Sequence, residues 1–283
     1  MNEAVDPKRD AERLARDWWH TEIIEMSPGV IRFRGYPIEE LIGRVSLAQM
    51  IWLMTRGELP SRAQGELLDA ALMAGVDHGP QAPSIAIARM AATCGVGLNN
   101  AMASAVNVLG DIHGGAGEQS VELFQAIAAR IGAGEAQTEA VRSGLDEFIG
   151  EHGKFVPGFG HRFHPIDPRA EPLLRLVDAA ASRGEVSGRF AVIARAIETE
   201  LAARKGGKRI PLNIDGATAV IYAELGFPAP LARGLFCLSR SVGILAHAWE
   251  QTQQGGRNKG PIPRQWTPTY DGPPRRAVPV QPG

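Results

Sequence analysis

Along most of this chain apolar residues recur at intervals of three and four, the spacing that lines one face of an α-helix. One early stripe joins Ile38, Leu41, Ile42, Val45, Met50, Ile51, Leu53 and Met54, and predicts a single helix over 38–53 that Gly57 and Pro60 end. The same periodicity predicts helices over 61–74, 83–94, 99–109, 120–131, 135–149, 171–181, 190–205, 217–225 and 230–252. Asp6 before Pro7 marks the start of a first helix that continues through 11–19. Alternation appears only once, in Val30, Ile31 and Phe33 beside Pro28-Gly29, where a short strand or hairpin is expected. The fold class that follows is all-α, without an internal repeat.

Composition narrows the setting. No segment reaches the roughly 20 apolar residues that span a bilayer, so no membrane helix is expected. The charged amino terminus lacks an apolar signal core, and Cys94 and Cys237 sit in apolar helical patterns as reduced core residues. Both features fit the cytoplasm. A net charge of −1 provides no global field for nucleic acid or an anionic membrane, so partners must be sought at local sites. Prolines crowd the tail from Pro261 onward, which predicts an extended arm with Trp266 and Tyr270 as apolar anchors, suited to a neighbouring subunit.

Three segments set ionisable residues among glycines instead of on solvated helix faces. In Asp111-Ile112-His113-Gly114-Gly115, the histidine stands where a ligand can approach the backbone closely; a helix cap with an exposed histidine fits as well. In Pro157-Gly158-Phe159-Gly160-His161-Arg162, two glycines can turn backbone amides toward an anion, and Arg162 and Arg169 are planar forks for carboxylates. The alternatives are a plain loop with an Asp167 salt bridge, or a metal pair of His161 and His164, which lacks a third ligand at suitable spacing. In Asn213-Ile214-Asp215-Gly216, a lone carboxylate precedes a helix within an apolar run. It reads either as a general base whose pKa burial raises or as a helix N-cap. The basic run Arg204 to Arg209 reads as a solvated helix end with a glycine cap, or as a phosphate contact. Trp18 and Trp19 read as core or interface anchors.

Taken together and in this order, the three segments resemble the citrate synthase superfamily. The likeness extends to Gly29–Ile38 as numbered 29–38, to Gly57-Glu58-Leu59-Pro60, Asp77-His78-Gly79, Ser239-Arg240-Ser241 and Pro263-Arg264-Gln265, and so covers nearly the whole chain. It implies a two-lobed helical fold, with a large domain of 1–118 plus 234–283 and a small domain of 119–233. It also implies that His113 meets the thioester carbonyl, His161 the ketone or alkoxide oxygen, and Asp215 the methyl proton of acetyl-CoA. His78, Arg169, Arg240 and Arg162 would serve the dicarboxylate, and Pro157, Gly158, Phe159 and Gly160 would line the coenzyme A site. Coenzyme A enters as substrate carrier, no metal is expected, and a homodimer or higher homo-oligomer is implied.

Two departures from the family pattern point to cleavage. The chain is shortened between Pro60 and His78, as in compact members similar to citryl-CoA lyases and the lyase module of ATP-citrate lyase. The arm arginine expected two residues before Pro263-Arg264 is replaced by Pro261, leaving Arg257, Lys259 or Arg264 as substitutes. The expectation is a citryl-CoA lyase-like enzyme. The alternatives are a citrate or 2-methylcitrate synthase, and a non-catalytic protein that binds coenzyme A or a dicarboxylate.

Overall fold

Helix boundaries follow local capping chemistry. In the computed structural model, which describes residues 7–161, 164–263 and 265–279, α1 covers Pro7–Asp17. Three short strands follow, β1 (Ile24–Ser27), β2 (Val30–Phe33) and β3 (Tyr36–Pro37), in one antiparallel sheet of that order. Gly29 at φ 78° turns β1 into β2, and Arg34 and Gly35, both at positive φ, turn β2 into β3. Arg34-Gly35, with positive φ at both central residues, has the type I′ pattern that matches the twist of paired strands.

The single helix expected over 38–53 is two helices, α2 (Ile38–Leu41) and α3 (Leu47–Arg56). Gly43 adopts φ 76° and interrupts the ladder. Ser46 then opens α3 with a capping box, its hydroxyl accepting from the Gln49 amide while the Gln49 side chain accepts from the Ser46 amide. Gly57, at φ 93°, closes α3 in the left-handed conformation. Helix α4 (Arg62–Ala74) repeats the capping box with Ser61 and Gln64. The remaining helices are α5 (Pro83–Thr93), α6 (Leu98–Val106), α7 (Ala116–Gly132), α8 (Gln137–His152), α9 (Ala170–Ser182), α10 (Arg189–Arg204), α11 (Ile214–Glu224) and α12 (Ala229–Gln254). The Asp6 cap lies outside the described residues.

Internal packing divides the chain into two compact units, one of Met1–Asp77 with Leu109–Val242 and the other of His78–Val108 with Gly243–Gly283. These borders differ from 118/119 and 233/234. In the first unit Ala48, Trp52, Leu67, Leu68 and Ala71 of α3 and α4 share one core with Val121, Phe124, Val177, Ile197 and Val220 of α7, α9, α10 and α11. In the second, α5 and α6 pack a smaller core of Ile85, Ala88, Ala101 and Ala105 with Ile244 and Ala248 of α12.

At the centre of the first unit lies α11, which packs against α4, α7, α9 and α10. Every residue from Gly216 to Ala223 is buried, so this helix is apolar on all sides. A carboxylate placed in its first turn is therefore set largely among protein atoms, and Asp215 keeps only partial exposure.

Several expectations need correction. Trp18 and Trp19 are 75% and 84% exposed, which removes them from the core. Cys94 is exposed because it caps α5 just before the left-handed Gly95; Cys237 is half-buried, and the two thiols are unpaired. One helix, α12, is long and apolar enough to cross a membrane by length and composition, against the expectation of none. It carries Arg233, Arg240 and Glu250, and places Leu235, Ile244 and Ala248 in protein cores. The segment 265–279 has neither helix nor strand, and Trp266 and Tyr270 are exposed on it.

Candidate active site

The setting of Asp215 begins with Asn213. Its side-chain oxygen accepts from the Asp215 and Gly216 amides at 3.0 and 3.2 Å, which makes Asn213 the N-cap of α11. Asp215 is thus the second helical residue, and its carboxylate is released from the capping role that one reading gave it.

The glycine loop before His161 is sewn to this helix start. The Gly160 amide donates to the Pro211 carbonyl at 2.7 Å, the Asn213 amide to the Gly158 carbonyl at 2.9 Å, and the Asn213 side-chain amide to the Gly160 carbonyl at 2.6 Å. Gly158 sits at φ 79°, and a Cβ there would lie 2.7 Å from Gly216 Cα. A Cβ on Gly216 would meet the Gly158 carbonyl oxygen and Leu212 Cδ1, each at 2.5 Å. Loop and helix are in backbone contact that only glycine permits. Gly158 and Phe159 are accordingly buried, while Pro157 and Gly160 keep partial exposure. Of the loop amides expected to turn toward an anion, the Gly160 N–H already serves Pro211. Gly216→Ala is expected to destabilise the protein by about 2–3 kcal/mol through overpacking, measured by chemical denaturation; an unchanged midpoint would contradict the contact.

Asp167 ties the neighbouring arginine to the same helix. Its carboxylate accepts from Arg169 Nε and Nη2, both at 2.9 Å, from the Arg169 amide and from the Ile214 amide, each at 3.0 Å. Burial pushes this carboxyl up, yet the Arg169 fork and the two amides outweigh it and hold the pKa at about 2. The loop-with-a-salt-bridge reading is what this pair forms, with the added function of anchoring α11. Sequence reasoning overlooked Asp167 and Asn213 as organisers of the site. Asn213 stood at an N-cap-type position two residues before Asp215, and that signal could have found it. A substrate carboxylate at Arg169 would have Nη1 and the second Nη2 hydrogen left to it.

A narrow cleft opens beside Asp215, lined among others by Arg169, Asp215, Tyr222, Phe236, Ser239 and Arg240. Arg240 is only 5% exposed; its Nε donates to the Gly75 carbonyl at 3.3 Å and its guanidinium stacks 4.8 Å from the Phe236 ring centroid. Burial raises the Asp215 pKa, with the Arg240 and Arg169 charges opposing it. Burial lowers the Arg240 pKa, while Asp215 and Asp77 restore part of it. Burial, then the Asp215 charge, raises that of Tyr222, which keeps the phenol neutral.

The two imidazoles belong to this electrostatic neighbourhood. Burial lowers the His113 pKa and the Arg240 charge lowers it further. Burial lowers that of His161, with Asp167 opposing and His164 and Arg169 reinforcing. Both rings are therefore held toward the neutral form. His161 Nδ1 accepts from the His164 amide at 3.0 Å, so Nε2 carries the proton. The His161 and His164 rings lie 4.6 Å apart at 41°. Among the described residues no third histidine, cysteine or carboxylate joins them in a group that could hold a metal.

His113, His161, Arg169, Asp215 and Arg240 thus lie in one compact unit. His78 is the first residue of the other unit, and Arg162 and Arg264 fall outside the described residues. In that second unit Arg257 and Lys259 line a groove of about 440 Å³ with Gln251 and Gln254. The basic run at the end of α10 contains Gly206 and Gly207 at positive φ, with Arg204 paired to Glu200 and Asp146 and Arg209 to Glu198.

Comparison with known proteins decides the family. Residues 63–264 match the model of the citrate synthase C-terminal domain. The chain belongs to the citrate synthase family. It is 30% identical to a citrate synthase of Acidithiobacillus ferridurans over 255 residues, covering 86% of this chain and 63% of that protein. A citrate synthase of Haloferax volcanii is 32% identical over 202 residues, 70% of this chain and 49% of that one. The chain therefore spans about half to two thirds of the length of these family members. The structure of citryl-CoA lyase from Hydrogenobacter thermophilus aligns with a TM-score of 0.79 at 32% identity, covering 92% of this chain and 97% of that one. This family member is mostly helical, with the citrate synthase-like fold that the sequence predicted.

Proposed function

We propose that this protein cleaves citryl-CoA to acetyl-CoA and oxaloacetate. The observation that carries this reading is a carboxyl group with a raised pKa, Asp215, set in a cavity beside Arg240 and Arg169 in a chain that matches a citryl-CoA lyase over nearly the full length of both. The synthase alternative is favoured by the citrate synthases among its relatives. The two readings use one set of groups in opposite directions.

Cleavage begins when the tertiary hydroxyl of the substrate replaces the His164 amide at His161 Nδ1. That nitrogen takes the hydroxyl proton and the ring becomes an imidazolium. The oxygen's electron pair forms the ketone of oxaloacetate, and the carbon–carbon bond breaks toward the thioester. His113 donates a hydrogen bond to the enolate oxygen, a contribution of about 3–4 kcal/mol for a preorganised donor. Protonated Asp215 gives its proton to the enolate carbon, producing acetyl-CoA. The proton on His161 returns to Asp215 through solvent once products leave. Arginines hold the dicarboxylate before the bond breaks.

The required protonation states set the pH dependence. His161, with a lowered pKa, must be neutral, and Asp215, with a raised pKa, must be protonated. The cleavage rate should fall below the His161 pKa, itself below 6.5, and fall again as pH rises through that of Asp215. Synthesis needs the opposite states. A pH–rate profile of cleavage with a single rising limb and no alkaline decline would count against Asp215 as the acid. A thiol-release assay with oxaloacetate and acetyl-CoA separates the alternatives: little free coenzyme A is expected, and rapid release would establish a synthase. The proposal includes a cytoplasmic setting, supported by two unpaired thiols, and a homo-oligomer in which the arm bearing Trp266 and Tyr270 covers a second copy.

A further inference from the structure

The turn carrying His113 is rich in glycine, with Gly110, Gly114 and Gly115, and its one large apolar side chain, Ile112, is fully exposed. Within it the Gly110 amide donates to the His113 carbonyl at 3.0 Å, and Gln119 Nε2 to the Asp111 carbonyl at 3.3 Å.

Helix α12 holds this turn from residues at i, i+3 and i+7, which share one face. Arg233 Nη2 donates to Asp111 Oδ1 at 2.6 Å, and Arg233 Nε pairs with Glu118 Oε2 in the first turn of α7. Phe236 closes on the turn so tightly that a Cβ at Gly114 would lie 3.0 Å from its Cε1. Arg240, the third residue of the face, stacks on Phe236. The arginine face therefore grips both ends of the His113 turn, Asp111 before it and Glu118 after it.

We propose that Arg233, with Asp111 and Glu118, is an ionic clamp that positions His113 against the thioester. The assignment rests on the cleavage reading for its catalytic consequence, while the clamp itself rests on the geometry. Arg233 touches no reacting atom and is a positioning residue. Because Asp111 is three-quarters exposed, its ion pair adds little to stability, and the fold should survive its loss.

The test uses the full chain as Arg233→Met and Asp111→Asn, with histidine ring NMR titrations and citryl-CoA cleavage kinetics. Loosening the turn should solvate the ring, so His113 is expected to titrate higher, toward 6.5, in both variants. The loss of charge alone would move it up in Arg233→Met and down in Asp111→Asn; that opposite pair of shifts, or no shift, overturns the clamp. Kcat should fall about tenfold in each variant through misplacement of the ring, with KM within about twofold and partial recovery in Arg233→Lys. Where the wild type cleaves citryl-CoA, an unchanged kcat in the two variants also overturns it. If the wild type cleaves nothing while His113 rises in both variants, the clamp stands and the cleavage reading falls.

Discussion

Asp215→Asn is expected to lower kcat for citryl-CoA cleavage by about a thousandfold, the scale of a lost general acid. Binding of the thioester should stay within about threefold, because the side chain acts on the transition state and not on the bound ground state. Stability gives an independent reading. Burial raises the Asp215 pKa, so its favourable contribution is present below the unfolded value of 3.8 and is lost as pH rises through the folded value. At neutral pH the ionisable group is a burden on the fold, and the amide should melt at the same temperature or higher. A variant that loses activity and also melts much lower would point to a structural carboxylate instead. Steady-state kinetics with thermal unfolding of the same preparation decides between them.

Asp167→Ala is expected to remove about 3 kcal/mol of stability, the usual cost of breaking a buried ion pair by deleting one partner. It leaves the Arg169 fork and the Ile214 amide without their shared acceptor. The pH signature follows from the sign of the shift. A carboxyl held at about 2 against 3.8 unfolded contributes stability that is fully present above 3.8 and lost as pH falls through about 2. The difference corresponds to about 2 kcal/mol, so the stability gap between wild type and variant should narrow in that acid window. Activity should fall as well, by about ten- to a hundredfold, since Arg169 and the first turn of α11 would no longer be held together. Urea midpoints measured from pH 2 to 7 test the first part; a gap independent of pH would contradict it.

Both expectations depend on features of very different legibility. The helix stripes and the three glycine-flanked segments could be read directly, because periodicity and short motifs are local properties. The break between α2 and α3 was readable in principle, since Ser46 and Gln49 form a capping box, but the apolar stripe ran across Gly43 and concealed it. Asp167 was visible only as a loop acid two residues from Arg169. That it also receives the Ile214 amide, 47 residues away, is a property of packing. The same holds for Arg233, 122 residues from Asp111, and for the Gly158–Gly216 contact. Cys94 was misplaced, and a place in the core was wrongly allowed to Trp18 and Trp19, because an apolar residue at a helix end does not say what covers it. The unit borders depend on which cores α3 and α4 join, again a long-range choice.

The most direct measurement is incubation of the purified chain with citryl-CoA, followed by chromatographic detection of oxaloacetate and acetyl-CoA. The site predicts both products in equal amounts, formed by the wild type and nearly absent with Asp215→Asn. Intact citryl-CoA after prolonged incubation, or equal turnover by the two proteins, would contradict the proposal that Asp215, His113 and His161 act on one reacting carbon.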